Sequence, residues 1–399
     1  MGSTSAAGMT GVYDGIRVLD FSMFLAGPYC SRLMADMGAD VIKIEPPGGD
    51  FLRAAPPLRA GHSAYFGHLN CGKRSVCIDL KKAGALDVLL RLAKDVDVVL
   101  ENFRPGVMAR LGLGYEAMRA VRPDVVYCSV SGYGQTGPSA HRPSFAPIVH
   151  AASGFDMLAP RYESTLDRPI QNRNAMADYL AATHALAGIG AALYHRATTG
   201  RGQHLDVALM DTMHHAMSYE YVGAQFPDAQ DPPVFRPMRT LDGFVMIAPV
   251  SEANFKALAG AAEHPQWLED SRFATRAARV EHWVDMLDTI ESWTASKTSA
   301  EAEASLLAAG CPASVYRTIG EAQRDPHVAS RAAAATVTDA AGAFQVANTP
   351  IKFADAPANA RPRVARLGED SHEVLSECGF GDDDIEQLRE SGILVPTTA

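Results

Sequence analysis

From Ile16 onward, short runs of β-branched and apolar residues alternate with stretches whose apolar positions recur at helical spacing. IRVLDF is followed by GPYCSRLMADMG, ADVIKIE and KRSVCIDL by KKAGALDVLLRLAKDV, and DVVLEN by PGVMARLGLGYEAMRAV and then DVVYCSV. This strand–helix–strand grammar predicts an α/β protein built on a parallel, doubly wound sheet. In such sheets ligands bind beyond the carboxyl ends of the strands. The segments FSMFLAG, EPPGGD, ENFRPG and SGYGQTG are therefore expected to share one crevice.

The first strand runs into DFSMFLAGP with no GxGxxG, so a dinucleotide loses its close backbone approach to the pyrophosphate and a nicotinamide enzyme is disfavoured. A long helix is predicted from near Asp178. It is followed by the Gly-rich reversal and strand of TTGRGQHLDVALMD and the helical MHHAMSYEYVGAQF. FPDAQDPPVFRP reads as a linker. DGFVMIA then opens a smaller α/β unit with helical runs ANFKALAGAA, HWVDMLDTIESWTAS and AEASLLAAG, and an extended, Pro-punctuated tail from Asn348 closes on the acidic helix GDDDIEQLRESG. The expected layout is a large domain over 1–205, a linker and small domain over 206–334, and a tail over 335–399 that returns to the large domain.

The 399 residues, 47% hydrophobic and 21% charged, can bury a substantial core in one or two domains. A net charge of -10 disfavours a nucleic-acid-binding surface, so an anionic ligand needs local cations. Arg53, Lys73, Arg74, Lys81, Arg104 and Arg110 fall in loops, strand ends or a first helix near the predicted crevice. There they suit phosphate binding, although each alone reads more readily as a solvated surface charge. Six cysteines without paired spacing fit reduced thiols and imply no metal site. Neither the amino terminus nor the interrupted apolar run after Asp178 reads as an export or membrane signal, and a cytoplasmic protein is expected.

Asp178 opens "DYLAATHALAGIGAAL", which contains no further full charge. An acid at a helix start serves as a cap or a first-turn partner of the helix dipole. That is the commoner role of such an acid; the other is a carboxylate nucleophile kept ionised by that dipole against burial, and the two roles are compatible. The small residues Ala181, Ala182, Gly188 and Gly190 allow close approach by a ligand or by another helix. The histidines, including His150, His214 and His215, form no metal or triad pattern.

Taken together, GIRVLDFSMFLAGPYCSRLMADMGADVIKIEPPGGD, NCGKRSVCIDL, ENFRPGVMARLGLGYE, YCSVSGYGQTGP, MADYLAATHALAGIGAALYHRATTGRGQHLDVALMD and DSRFATRAARVEH resemble the class III CoA-transferase family, which includes formyl-CoA and carnitine CoA-transferases and the related α-methylacyl-CoA racemases. The resemblance runs from about residue 12 to residue 380. It implies a Rossmann-like large domain completed by the carboxyl tail, a small domain, and an interlocked homodimer. It implies that Asp178 is the nucleophile and that CoA contacts fall on Phe24, Leu25, Ala26, Ile78, Lys81, Asn102, Phe103, Arg104, Arg110 and Leu111. CoA and acyl-CoA are then substrates alongside a small carboxylic acid, with no tightly bound cofactor, no metal, no nucleic acid and no membrane partner.

The chain departs from the family pattern in three places. Leu25 replaces a Gln of formyl-CoA transferases, and Phe145-Ala146 replaces their Tyr-Glu, which argues against a formyl/oxalyl pair. Phe145 also stands where racemases carry a His, so two-base proton transfer needs His150 as a substitute. IAPVSEANF stands where relatives often carry a Gly-rich closing loop. Transferase is the leading expectation, with racemase and a non-catalytic CoA-binding relative as alternatives. Arg173, Arg236 or Arg239 are expected to hold the distal carboxylate of an acid such as succinate.

Overall fold

The computed structural model describes residues 11–396 except 164–165, 167, 170–172 and 229–232, so part of the predicted linker lies outside the described residues. The chain divides into two compact units, one running through Val222 and resuming at Ser330, the other Gly223–Ala329.

The large unit is built on six parallel strands: β1 (Arg17–Asp20), β2 (Asp40–Glu45), β3 (Arg74–Cys77), β4 (Val98–Glu101), β5 (Val126–Ser131) and β6 (His204–Ala208). Their order is β3-β2-β1-β4-β5-β6. Val18 of β1 is in register with Val41 of β2 on one side and Val98 of β4 on the other. The five strands before β6 are buried almost throughout, as expected of a sheet covered on both faces. The order reverses between β1 and β4, which opens the crevice at their carboxyl ends.

On one face, α1 (Ala26–Asp36) packs against the long α2 (Met176–Thr199). Ala177, Ala181, Ala185, Ile189 and Ala192 recur at helical spacing and are buried with Leu33 and Met34. The small residues at 181 and 182 thus serve helix packing, and their burial leaves little for a ligand to touch. Opposite, Leu89, Leu92, Val99 and Met118 form a second core with Val374, Leu375 and Ile385 of the tail helices Ser371–Glu377 and Asp382–Glu390.

Two expectations change. The helix expected across PGVMARLGLGYEAMRAV is two short ones, Val107–Arg110 and Tyr115–Val121, because Gly112 adopts φ +75°, and Arg110 ends the first. The large unit extends beyond residue 205, because Leu209, Met213 and Met217 join its first core. The small unit holds an antiparallel three-stranded sheet, Met238–Arg239, Phe244–Ile247 and Ala313–Val315. Helices covering it contribute Phe255, Leu258, Leu287, Ile290 and Leu306 to its core. In IAPVSEANF, Ser251 and Asn254 form a capping box on Glu252–Ala261. Among the described residues no helix is long and apolar enough to cross a membrane.

Candidate active site

A cavity of about 380 Å³ opens beyond β1, β4 and β5 in the large unit. Its lining draws Met23–Ala26 from the loop after β1, Leu52 from the turn after EPPGGD, Asn102–Arg104 from the loop after β4, Ser131 and Gly132 at the end of β5, and Asp178 from the first turn of α2. Three of the four segments singled out by their strand-end positions line this cavity, whereas EPPGGD contributes none of its lining and only Leu52 just beyond it does.

Buried ion pairs fix the loop after β1. Asp20 accepts hydrogen bonds from the Ser22 main chain (2.9 Å), the Ser31 hydroxyl (2.6 Å) and Lys73 Nζ (3.1 Å). Burial alone would raise the Asp20 pKa, but Lys73, Lys43 and the serine hydroxyls hold it below its ordinary value. Lys43 donates to the Ser22 carbonyl (2.6 Å) and pairs with Asp50 (3.0 Å). The Asp50 carboxylate caps the turn at Leu52 (2.9 Å) and reaches the Phe24 N–H (3.4 Å). Asn102 accepts from the Met23 N–H (2.9 Å) and donates to the Met23 carbonyl (2.7 Å), tying the loops after β1 and β4 together. Within this frame Phe24 adopts φ +64°, a conformation costly for a residue with a Cβ. A Cβ at Gly27 would sit 2.2 Å from Ser22 Cβ, so the loop and α1 can approach this closely only at glycine.

This network overturns part of the expected phosphate-binding group. Lys73 is buried against Asp20, Arg53 pairs with Glu45 (2.6 Å), and Arg74 pairs with Asp40 (2.5 Å) and Glu377 (2.8 Å). Lys73 and Arg53 neutralise buried carboxylates, which must be paired to stay ionised, and Arg74 is held by the partly exposed Asp40 and Glu377. Lys81, Arg104 and Arg110 are exposed and have no ion-pair partner among the described residues. Arg104 lines the cavity, and the Arg110 guanidinium lies over Gly106 in the same turn.

Of the residues expected to contact CoA, Phe24, Leu25, Ala26, Asn102, Phe103 and Arg104 line the cavity. Lys81, Arg110 and Leu111 lie outside its lining, as does Ile78. Ile78 is fully buried in the second core with its N–H on Glu45, which leaves no side-chain surface for a ligand. The Phe103 N–H donates to Glu101 (2.8 Å). Burial pushes Glu101 up to about 7 against the hydrogen bonds from Ser129 and Phe103.

Asp178 follows Ala175, the residue at the helix entrance, and its carboxylate faces the cavity without a hydrogen-bond or ion-pair partner among the described residues. It does not cap the helix. Burial pushes its pKa up to about 7, while the positive end of the α2 dipole favours the anion. His150, the substitute second base, is buried outside the cavity lining, and its Nε2 accepts from the Ala177 N–H (3.1 Å). A ring nitrogen accepting that bond is unprotonated and already engaged, so the racemase arrangement is absent from the cavity.

Tyr65 also lines the cavity and escaped sequence reasoning. Burial, a hydrogen bond with Tyr179 and the nearby Asp178 carboxylate all raise its phenol, keeping it a proton donor at neutral pH. One tyrosine in a short helix, Ala64–Asn70, has no periodic signature, and only tertiary placement reveals it. Arg236 is engaged with Asp288 and Glu291 (2.8 Å) inside the small unit, Arg239 is exposed there, and Arg173 lies outside the cavity lining.

Residues 13–371 match the model of CoA-transferase family III. The succinyl-CoA:mesaconate CoA-transferase of Haloarcula hispanica is 34% identical over 93% of this chain and 97% of its own. The succinate–glutarate CoA-transferase of Agrobacterium fabrum is 32% identical over 91% and 95%. The crystal structure of a CAIB/BAIF family protein from Brucella suis superposes with a TM-score of 0.81 at 29% identity, covering 93% of this chain and all of that one. With its strand-end cavity and unpaired first-turn aspartate, the chain belongs to CoA-transferase family III and is a CoA-transferase.

Proposed function

We propose that the enzyme moves CoA from an acyl-CoA to a free carboxylic acid through a covalent aspartyl-CoA thioester at Asp178. The observation that carries this is an unpartnered, largely desolvated carboxylate inside the cavity, where each other buried acid near the strand ends has a partner.

Asp178 attacks the donor thioester carbonyl, the C–S bond breaks, and a mixed anhydride and CoA thiolate form. The thiolate then attacks the aspartyl carbonyl, giving aspartyl-CoA and the donor acid, which keeps one Asp178 oxygen. The acceptor carboxylate attacks aspartyl-CoA to form a second anhydride, and the released thiolate takes its acyl group and restores Asp178. Covalent catalysis splits one difficult exchange into steps between activated partners. A carboxylate with pKa near 7 is more basic than an exposed aspartate and yet substantially ionised at neutral pH. Exclusion of water by the apolar lining protects both anhydride and thioester.

Phe24, Leu25, Ala26, Asn102 and Phe103 would border the pantetheine, and Arg104 with Lys81 and Arg110 would meet the phosphates, with Ile78 and Leu111 supporting from behind. The interlocked homodimer implied by the resemblance accounts for Tyr194, Tyr219 and Tyr221 being left exposed. Turnover with a carboxyl-¹⁸O acceptor is expected to place ¹⁸O in the Asp178 peptide. Unlabelled Asp178 after many turnovers would sink the covalent route.

A further inference from the structure

We propose that the acids exchanged by this enzyme are monocarboxylates with an apolar body, an aryl or alkyl chain, rather than dicarboxylates. The proposal rests on Asp178 being the acyl acceptor and names the substrate class of that site.

The cavity that holds Asp178 is walled by Phe24, Phe145, Leu25, Leu52 and Leu209. The Phe24 and Phe145 rings meet edge to face at 5.4 Å, and Phe51 stacks on the outer side of Phe24 at 5.6 Å. Phe145 is 59% exposed and Phe51 71%, so the mouth offers aromatic surface that the large unit itself leaves uncovered. Aromatic surface at a cavity mouth is returned to an apolar environment when an apolar group fills the space.

This wall is built rigidly. Phe24 is held in its left-handed conformation by the Asp50 carboxylate on its own N–H and by the Asn102 clamp on Met23 next to it. Two buried or half-buried polar groups thus hold the strained Phe24 backbone in place, and its ring is packed between Phe51 and Phe145 at the cavity wall.

The charge inventory points the same way. Among the described residues, Arg104 and Asp178 are the charged groups of the lining. Nothing positive near Asp178 offsets its burial, and burial is what raises its pKa. A second carboxylate held there would be buried without a partner and beside a like charge, which is costly. Arg104 lies in the β4 loop and is the cation otherwise free to meet a phosphate.

The test compares chain-matched acids as CoA acceptors, and as CoA thioester donors, in the full-length enzyme: acetate, butyrate, hexanoate and 3-phenylpropanoate against succinate and adipate. At about 0.8 kcal/mol per buried CH₂, kcat/KM should rise about fourfold per methylene until the cavity is filled. Hexanoate should exceed adipate at least tenfold. Phe145→Ala, at an exposed position, should cut the ratio of 3-phenylpropanoate to acetate about tenfold, with thermal melting as the check on folding. Dicarboxylates outpacing their chain-matched monocarboxylates, with that preference lost in Arg104→Gln, would overturn the proposal while leaving the transferase reading intact. Transfer to none of the acids, with Asp178 never labelled, would overturn both.

Discussion

Replacing Asp178 by asparagine should remove activity and at the same time stabilise the protein above neutral pH. Asp178 shifts from an ordinary 3.8 to about 7 on folding because of burial. A carboxyl group with a raised folded pKa contributes stability that is fully present below pH 3.8 and lost as pH rises through about 7. Asparagine keeps the shape but carries no charge at any pH. Three pKa units correspond to about 4 kcal/mol. The positive end of the α2 dipole offsets up to about 1 kcal/mol of that. The variant should therefore gain about 3 kcal/mol over the parent at pH 8, and less than half of that at pH 4.5. At about 2 °C per kcal/mol for a chain of this size, the apparent melting temperature should rise by roughly 6 °C at pH 8. Differential scanning calorimetry at the two pH values reads this directly. A shift of equal size at both, or a variant less stable at pH 8, would refute the claim that Asp178 is desolvated without a partner.

Other expectations follow from the same geometry. Lys73→Met leaves Asp20 buried and deprived of its nearest cation, and should cost about 3–5 kcal/mol by denaturant melts. Gly27→Ala drives a Cβ into Ser22 and should raise KM for CoA well above its effect on melting temperature, because the loop after β1 must move. Arg104→Ala should raise KM for CoA and flatten its dependence on ionic strength, measured by initial rates from 20 to 300 mM salt. The kcat/KM profile should fall below about pH 7 as free Asp178 takes up its proton, and a profile flat from pH 5 to 8 would contradict that assignment.

The parallel sheet and the position of its crevice were legible because the apolar runs are short, evenly spaced and interrupted by Gly-rich segments, whereas the order of the strands was not. Asp178 was legible by contrast, as one acid before a long uncharged run. Cation roles were not. Lys73 and Arg74 sit in the sequence beside Lys81, and nothing local distinguishes residues that neutralise Asp20 and Asp40 from one that stays in solvent. The break at Gly112 was hidden because glycine inside a helical period is tolerated as often as it terminates. Tyr65 and the capping role of His150 arise from contacts between distant segments, which no spacing rule carries.

The central claim is tested most directly by incubating the enzyme with an acyl-CoA, quenching in acid and weighing the peptide that contains Asp178. The account predicts a mass increase equal to CoA in thioester linkage, discharged by free carboxylate and absent from Asp178→Ala. An unmodified peptide during active turnover, or CoA exchange that survives the substitution, would contradict it.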